Sequence, residues 1–253
     1  MPNPERIWTA ALVVIGDEIL SGRTQDKNIA QVASWLGVQG IRLAEVRVVG
    51  DVVEAIVEAV NALRVRHDYL FTTGGIGPTH DDITVDAVAQ ALGVGVEIHP
   101  RGRALLETYY ATCGGLTEGR LRMARVPAGA ELIENRMSGA PGIHIGNCFL
   151  MAGVPHIAAQ MLDALTGKLE GGLLLISETV GCWVPESEVV ALLHATERAH
   201  GSCSIGSYPF FREGRAGANF VIRSTDADAL AACVAALSAD LTAAGHAVIP
   251  GGV

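Results

Sequence analysis

The sequence predicts an α/β protein in which a doubly wound, mostly parallel sheet is followed by a small α+β domain. The first observation behind this prediction is that apolar runs alternate with helical patterns in the N-terminal part of the chain. The second is that glycine and acidic residues follow the carboxyl end of each apolar run. The third is a glycine-rich change of composition at residues 167–172, typical of a linker. The predicted domains are therefore 1–168 and 172–253.

The first domain is predicted to begin with three strands separated by helices. Residues 7–15 form an apolar run, typical of a strand that is covered on both faces. Asp26 is expected to cap the first helix, and residues 41–49 are expected to form the second strand. A further helix follows Asp51 and leads to a third strand at 69–72. Because parallel strands end at the same edge of a sheet, the loops after these strands should meet in one crevice.

The remaining elements are predicted from shorter patterns. The rest of the first domain should contain a helix at 100–113, an arginine-rich connector at 116–125, short strands at 131–133, 142–145 and 148–151, and a helix from Pro155. The second domain should contain a strand at 173–177, a helix at 186–199, strands at 203–207 and 218–223, a helix at 226–243 and a strand at 247–249.

Composition and charge exclude several classes of protein. A net charge of −9 over 253 residues provides no broad basic surface, so we expect no nucleic-acid partner. No apolar run approaches the roughly 18 residues of a membrane span, and the polar N-terminus is unlike a signal peptide. The five cysteines form no CxxC pair, which favours buried free thiols over disulfides or a zinc site. We therefore expect a cytoplasmic protein without a membrane partner.

The most informative segment for function is the stretch 72–84, which places three glycines and a proline between a strand and a helix. Glycines let a turn adopt positive φ and bring backbone N–H groups close to anionic oxygens. Asp81 and Asp82 follow directly, and carboxylates can hold a metal between phosphate oxygens. The segment predicts a phosphorylated small-molecule ligand and, since the chain is acidic, a divalent cation.

Two further acidic loops are expected at the same crevice, Asp17 with Glu18 and the single Asp51. A carboxylate at a helix N-terminus is favourable by itself, so capping is an alternative for Asp51 and Asp82. Five carboxylates in one crevice would repel each other without a cation, which favours a functional role for the cluster. Asn28 could contact a ligand or support the first loop, and residues 138–142 could be only a turn.

These motifs together resemble a known family. Residues 16–22, 26–28, 49–51, 73–84 and 139–142 occur in the order found in the molybdopterin-binding domain of the MoaB/Mog type. The resemblance is closest to the branch found in competence/damage-inducible protein A (CinA) and in eukaryotic FAD synthases. It covers roughly residues 7–165, whereas residues 185–188 and 205–209 look like the smaller domain that follows in those proteins.

The resemblance implies roles for individual residues. Asp82 and Asp51 would be catalytic and would hold a divalent metal, which is magnesium, manganese or cobalt. The ligand would be a nucleotide or a pterin phosphate, with molybdopterin itself a candidate, and we also expect a homo-oligomer. The residues expected to bind the ligand are Gly16, Asp17, Glu18, Asn28, Thr73, Gly74, Gly75, Gly77, Pro78, Thr79, Asp81, Thr84, Ser138, Gly139, Ala140, Pro141 and Gly142.

Three activities are compatible with this resemblance. The CinA-like branch implies metal-dependent hydrolysis of nucleotide pyrophosphates such as ADP-ribose or FAD. The alternatives are a non-catalytic module that binds molybdopterin or a nucleotide, and adenylyl transfer to molybdopterin. Two residues depart from the family pattern: Ala152 stands where the family usually has proline, and Ile76 where it has leucine or threonine. The run of basic residues that the cofactor synthases carry before the catalytic aspartate is also absent before Asp82. These departures disfavour cofactor synthesis, and we expect no amidase activity of the longer CinA proteins.

Overall fold

The structure of the protein is a computed structural model that describes residues 6–135 and 137–253. The chain divides into two compact units, the first ending at Gly172 and the second spanning Leu173–Val253. Most of the polar N-terminal lead-in lies outside the described residues. The segment 167–172 packs along the first unit, because Gly172 donates its N–H to the carbonyl of Gly40 at 3.0 Å. The hydroxyl of Tyr69 likewise donates to the carbonyl of Glu170 at 2.9 Å.

The elements of the first unit follow the predicted order, with additions. Its strands are β1 (Trp8–Ile15), β2 (Ile41–Val49), β3 (Tyr69–Thr73), β4 (Val96–Ile98), β5 (Arg125–Pro127), β6 (Glu131–Ile133), β7 (Gly142–Ile145) and β8 (Cys148–Met151). Its helices are α1 (Asp17–Leu20), α2 (Asn28–Val38), α3 (Val53–Arg64), α4 (Thr84–Leu92), α5 (Pro100–Tyr110), α6 (Glu118–Leu121) and α7 (Pro155–Asp163), with a 3₁₀ turn at Arg122–Ala124. The short helices α1 and α6 and the β4–β5 pair were not predicted, because each is too short for its apolar residues to show helical or strand spacing in the sequence.

The main sheet confirms the prediction of a doubly wound, mostly parallel architecture. Its strand order is β2-β1-β3-β8-β7-β6. The first four strands are parallel, and β7 and β6 continue the sheet in antiparallel pairing. The chain moves from β1 to β2 on one side and then to β3 on the other, so the strand order reverses between β1 and β3. Ligands of such sheets bind at this reversal, outside the carboxyl ends of the strands.

Two apolar cores cover the faces of this sheet. On one face, α3 and α4 pack against Val13 and Leu70; on the other, α2 and α7 pack against Leu12 and Phe71. Phe71 stacks on Phe149 with ring centroids 5.0 Å apart. Burial on both faces explains why β1 is a nearly continuous apolar run without polar alternation.

The second unit confirms the predicted small α+β domain. Its elements are β9 (Ile176–Cys182), α8 (Glu186–Ala199), β10 (Ser204–Arg212), β11 (Arg215–Ser224), α9 (Ala227–Ala243) and β12 (Val248–Pro250). They form an antiparallel sheet of order β10-β11-β9-β12, and one apolar cluster joins the sheet to both helices. The expectation of a strand at 173–177 was wrong in its position, because the leucines 173–175 are exposed and the pairing with β11 begins at Ile176.

The described cysteines are free, as expected, but they are not all buried. Cys148, Cys182, Cys203 and Cys233 are buried, whereas Cys113 is exposed. Burial raises the pKa of the Cys148 thiol to about 11, so that thiol stays protonated at neutral pH. Within residues 6–135 and 137–253, no helix is both long and apolar enough to cross a membrane.

Candidate active site

One cavity of about 690 Å³ opens at the carboxyl ends of β1 and β3, where the strand order reverses. Its size falls within the range of small-molecule sites, about 300–1,000 Å³. Most of the residues predicted to bind or act on a ligand line this cavity. They are Gly16, Glu18, Asp51, Gly74, Gly75, Gly77, Pro78, Thr79, Asp81, Asp82, Ser138, Ala140 and Pro141.

The glycine loop after β3 requires its first two glycines for steric reasons. Gly74 and Gly75 have φ values of +99° and +66°. A Cβ atom would lie 2.2 Å from the carbonyl oxygen of Ile15 at the first position and 2.1 Å from Thr84 Oγ1 at the second. Because L side chains rarely adopt this backbone conformation and no space is available, the tight turn depends on glycine here.

The amide groups of this loop divide into two sets. Gly74 donates its N–H to the carbonyl of Met151 at 3.1 Å, and Thr79 donates its N–H to Asp82 at 2.7 Å. Among the described residues, the amides of Gly75, Ile76 and Gly77 have no protein acceptor. These three N–H groups lie on residues that line the cavity. They are therefore the part of the loop that can bind an anionic oxygen.

Asp82 is held in one orientation by Thr79. Its Oδ2 atom accepts hydrogen bonds from both the N–H and the hydroxyl of Thr79, whereas Oδ1 has no hydrogen-bond partner among the described residues. The capping alternative is wrong for Asp82, because α4 begins at Thr84 with Ile83 as its N-cap residue. The pKa of Asp81 is held below its usual range by the nearby Thr79 hydroxyl and by its own backbone amide.

Asp51 joins the loops after β1 and β2. Its Oδ2 accepts the N–H of Asp17 at 2.9 Å, and its own N–H points to Asp17 Oδ1 at 3.3 Å. The helix that follows begins at Val53 without a side-chain cap, so Asp51 does not cap it. Burial raises the pKa of Asp51, and the carboxylates of Asp17, Glu18 and Asp81 raise it further. This end of the cavity therefore holds excess negative charge.

Replacing Asp51 with asparagine should raise stability at neutral pH relative to stability at acidic pH, compared with the wild type. Because the pKa of Asp51 is raised on folding, the folded state binds that proton more tightly than the unfolded chain. The contribution of Asp51 to wild-type stability should therefore fall as pH rises from the ordinary aspartate pKa of about 3.9 through the raised value. Thermal melting at stepwise pH with a chelator would measure this. At neutral pH the variant should melt no lower than the wild type; a clearly lower melting temperature would contradict the expectation.

Six of the predicted ligand-binding residues lie outside the lining of this cavity. Asp17 joins two loops as described, and Thr84 Oγ1 donates to the Gly74 carbonyl at 2.9 Å beneath the glycine turn. Gly139 packs against the ring of Tyr109, and Gly142 is buried in β7. Asn28 and Thr73 line a second, smaller cavity.

Sequence reasoning missed Arg120, a basic residue that lines the main cavity. Its Nη1 donates to the carbonyls of Cys113 and Gly115 at 2.7 and 2.5 Å, and its guanidinium lies 4.1 Å from the ring centroid of Tyr110. Tyr110 also lines the cavity. The only signal in the sequence was the arginine-rich character of this connector, which does not distinguish Arg120 from its neighbours.

Comparisons with known proteins decide the family. The family described as "Probable molybdopterin binding domain" matches residues 11–170, and the family described as "FAD synthase, middle domain" matches residues 174–247. The first match covers more than half of the chain. The chain belongs to the molybdopterin-binding-domain family. The two matches have the same order as the two structural units.

Individual members of this family are similar over different lengths. A protein of Aeropyrum pernix is 34% identical over 219 residues, which cover 83% of this chain and 81% of that protein. A CinA-like protein of Citrifermentans bemidjiense is 38% identical over 172 residues, covering 64% of this chain but only 42% of the relative. The crystal structure of the protein CinA, of unknown function, from Thermoplasma acidophilum matches with a TM-score of 0.60 and 30% identity, covering 64% of this chain and 98% of that one. The chain thus spans less than half of that CinA-like relative.

The carboxylates of this family member can be tested for their fit to a metal ion. Among residues 6–135 and 137–253, no group of three or more His, Cys, Asp or Glu side chains could hold a metal by itself. Magnesium commonly binds through one or two carboxylates together with substrate phosphates and waters. Asp51 and Asp82 line one cavity and could supply the two carboxylates. The residues therefore fit an ion that binds together with a phosphorylated ligand.

Proposed function

We propose that this protein is a metal-dependent hydrolase of nucleotide pyrophosphates of the ADP-ribose or FAD type. The observation that carries the proposal is the composition of the main cavity. Its lining includes the glycine-loop residues whose amides are free, the carboxylate residues Glu18, Asp51, Asp81 and Asp82, and Arg120. Amides and arginine bind phosphate, whereas carboxylates repel it unless they hold a cation or move a proton.

Phosphate binding is assigned to the amides and to Arg120. The N–H groups of Gly75, Ile76 and Gly77 would bind the oxygens of one phosphoryl group, because no protein acceptor uses them. Arg120 would contact the second phosphoryl group, since the carbonyls of Cys113 and Gly115 hold its guanidinium in place. A pyrophosphate has the two adjacent anionic groups that such a divided site would bind.

Asp82 and Asp51 are assigned to the chemistry. The carboxylates of Asp51 and Asp82 would hold a divalent metal, which is magnesium, manganese or cobalt, and that ion would neutralise phosphate charge and lower the pKa of a bound water. Thr79 orients the carboxylate of Asp82 and leaves its Oδ1 without a protein partner. Asp82 can therefore orient a water and accept its proton as the water oxygen attacks a phosphorus atom. The bridging P–O bond breaks, and the leaving phosphate takes up a proton to give AMP and the second monophosphate.

A non-catalytic module that binds molybdopterin or a nucleotide is the second candidate. The family description favours it, because it names molybdopterin binding and no reaction. The carboxylates of Glu18, Asp51, Asp81 and Asp82 in the cavity lining support the hydrolase, since a site that only binds anions would be stronger without side chains that repel them. Adenylyl transfer to molybdopterin would use the same phosphate donors and is the third candidate.

One set of reactions separates these candidates. The protein is incubated with ADP-ribose, with FAD, or with ATP plus molybdopterin, in the presence of magnesium, manganese or cobalt. The hydrolase should release AMP from ADP-ribose or FAD with a divalent metal, and excess EDTA should abolish the release. Tight binding without turnover under every metal would leave only the binding module. Pyrophosphate release that depends on molybdopterin would instead establish the adenylyltransferase.

A further inference from the structure

A second cavity of about 60 Å³ lies beside the main one in the first unit. The two cavities share the wall residues Ile15, Glu18, Thr24, Gly153 and Pro155. The smaller cavity is also lined by Asn28, the first residue of α2, and by Thr73, the last residue of β3. A substituent of a ligand bound in the main cavity would therefore lie against these shared residues if it extended into the smaller cavity.

Two buried oxygen atoms on residues that line this small cavity lack hydrogen-bond partners among the described residues. Asn28 is 4% exposed and Thr73 is 1% exposed. Asn28 Oδ1 and Thr73 Oγ1 have no partner among the described residues. The Nδ2 of Asn28 donates to the carbonyl of Gly153 at 2.8 Å, which fixes the orientation of the amide and leaves Oδ1 as an acceptor. Buried polar atoms are almost always paired in native proteins, and these two belong to residues that line a cavity, so a group bound in that cavity could be their partner.

The chemistry of the two atoms defines that partner. An amide oxygen only accepts, and a hydroxyl can accept, so together they suit a group with two N–H donors. The cavity has about the volume of two waters, at roughly 30 Å³ each, and is too small for an aromatic ring. A ring in the main cavity could nevertheless place one substituent in it.

We propose that this small cavity is a subsite for the exocyclic amino group of the ligand's aromatic base. Its two N–H groups would donate to Asn28 Oδ1 and Thr73 Oγ1. Adenine and pterin both have such an amino group, so the same chemistry serves either source. This inference rests on the proposed function, because it takes the ligand of the main cavity to be a nucleotide or a pterin.

Equilibrium binding to matched ligand pairs tests the subsite without any turnover. The first pair is AMP and IMP, in which an oxo group replaces the amino group of the purine. The second pair is pterin and lumazine, which differ in the same way. Calorimetry with magnesium present should show that the wild type prefers the amino member of one pair by about tenfold or more, because the oxo group would face an acceptor that cannot turn. A preference for AMP over IMP would identify the amino group as that of adenine, and a preference for pterin over lumazine would identify it as that of a pterin.

A matched pair of threonine variants assigns the preference to this cavity. T73V removes the unpartnered hydroxyl and keeps the shape of the side chain, and it should reduce the preference by about three- to tenfold. T72V is the control, because Thr72 Oγ1 is also buried without a partner but does not line the small cavity. Both variants should melt no lower than the wild type, since each removes a buried unpaired hydroxyl.

The outcomes distinguish this inference from the proposed function. Equal affinity of the wild type for both members of each pair would overturn the subsite and leave the proposed function standing. An equal loss of preference in T72V and T73V would also overturn it, because the effect would not belong to this cavity. If none of the four ligands binds, the proposed ligand class is wrong and the subsite is rejected with it.

Discussion

Replacing Asp82 with asparagine should lower the rate of AMP release by about 10²–10³-fold, the loss expected when a group that acts on the transition state is removed. The asparagine side chain keeps an oxygen that can accept the N–H of Thr79, so the loop should remain folded. It loses the negative charge that would hold the metal and the basic oxygen that would take the proton of water. The loss should therefore appear mainly in kcat.

The measurement is steady-state AMP release from ADP-ribose or FAD, whichever the wild type cleaves, with thermal melting as the check on folding. The matched control is Asp163→Asn, because Asp163 is an exposed aspartate of the same unit that does not line the main cavity. The control removes the same charge and should keep nearly full activity. An Asp82→Asn protein with more than a third of wild-type activity would show that this carboxylate is not catalytic.

Replacing Gly77 with alanine should lower activity by about 10–100-fold while changing stability little, because a misplacement of about 1 Å can cost about 10²-fold in rate. A Cβ atom at Gly77 would lie 2.7 and 2.9 Å from the two carboxylate oxygens of Asp82. The nearest atoms belong to the end of a flexible side chain, so the carboxylate can move away at small cost in folding free energy. That movement would break its hydrogen bonds to Thr79 and displace the proposed catalytic oxygen.

Gly95→Ala is the matched control for this loop glycine. Like Gly77, Gly95 has no positive φ, but a Cβ atom there would have no neighbour within 4 Å. The control should retain wild-type activity, and both variants should melt close to the wild type. Loss of folding in Gly77→Ala would contradict the expectation, because it would mean that the backbone and not Asp82 responds to the methyl group.

Much of the fold was predictable because its signals are local. The apolar run of β1 indicated a strand buried on both faces, and the helices α2, α3 and α4 follow from apolar positions at helical spacing. The hairpin of β10 and β11 was predicted too short. Its strands continue to Arg212 and Arg215, on either side of a turn in which Glu213 and Gly214 have positive φ.

The glycine stretch after β3 predicted the position of the site, because a tight turn that brings backbone N–H groups close to an anion requires glycines. The sequence could not show which amides of that stretch are free. Gly74 gives its N–H to Met151 and Thr79 gives its N–H to Asp82, so only the structure separates the donors that remain for a ligand.

The sequence by itself therefore determined the α/β class, the family and the crevice at which the acidic loops meet, because strand periodicity and glycine turns are properties of neighbouring residues. Tertiary structure alone decided the partners of Asp17, Asp51 and Asn28. Asp17 and Asp51 are 34 positions apart, and Asn28 and Gly153 are 125 apart. Contacts over such separations depend on how the strands order themselves in the sheet, and no local pattern encodes that order.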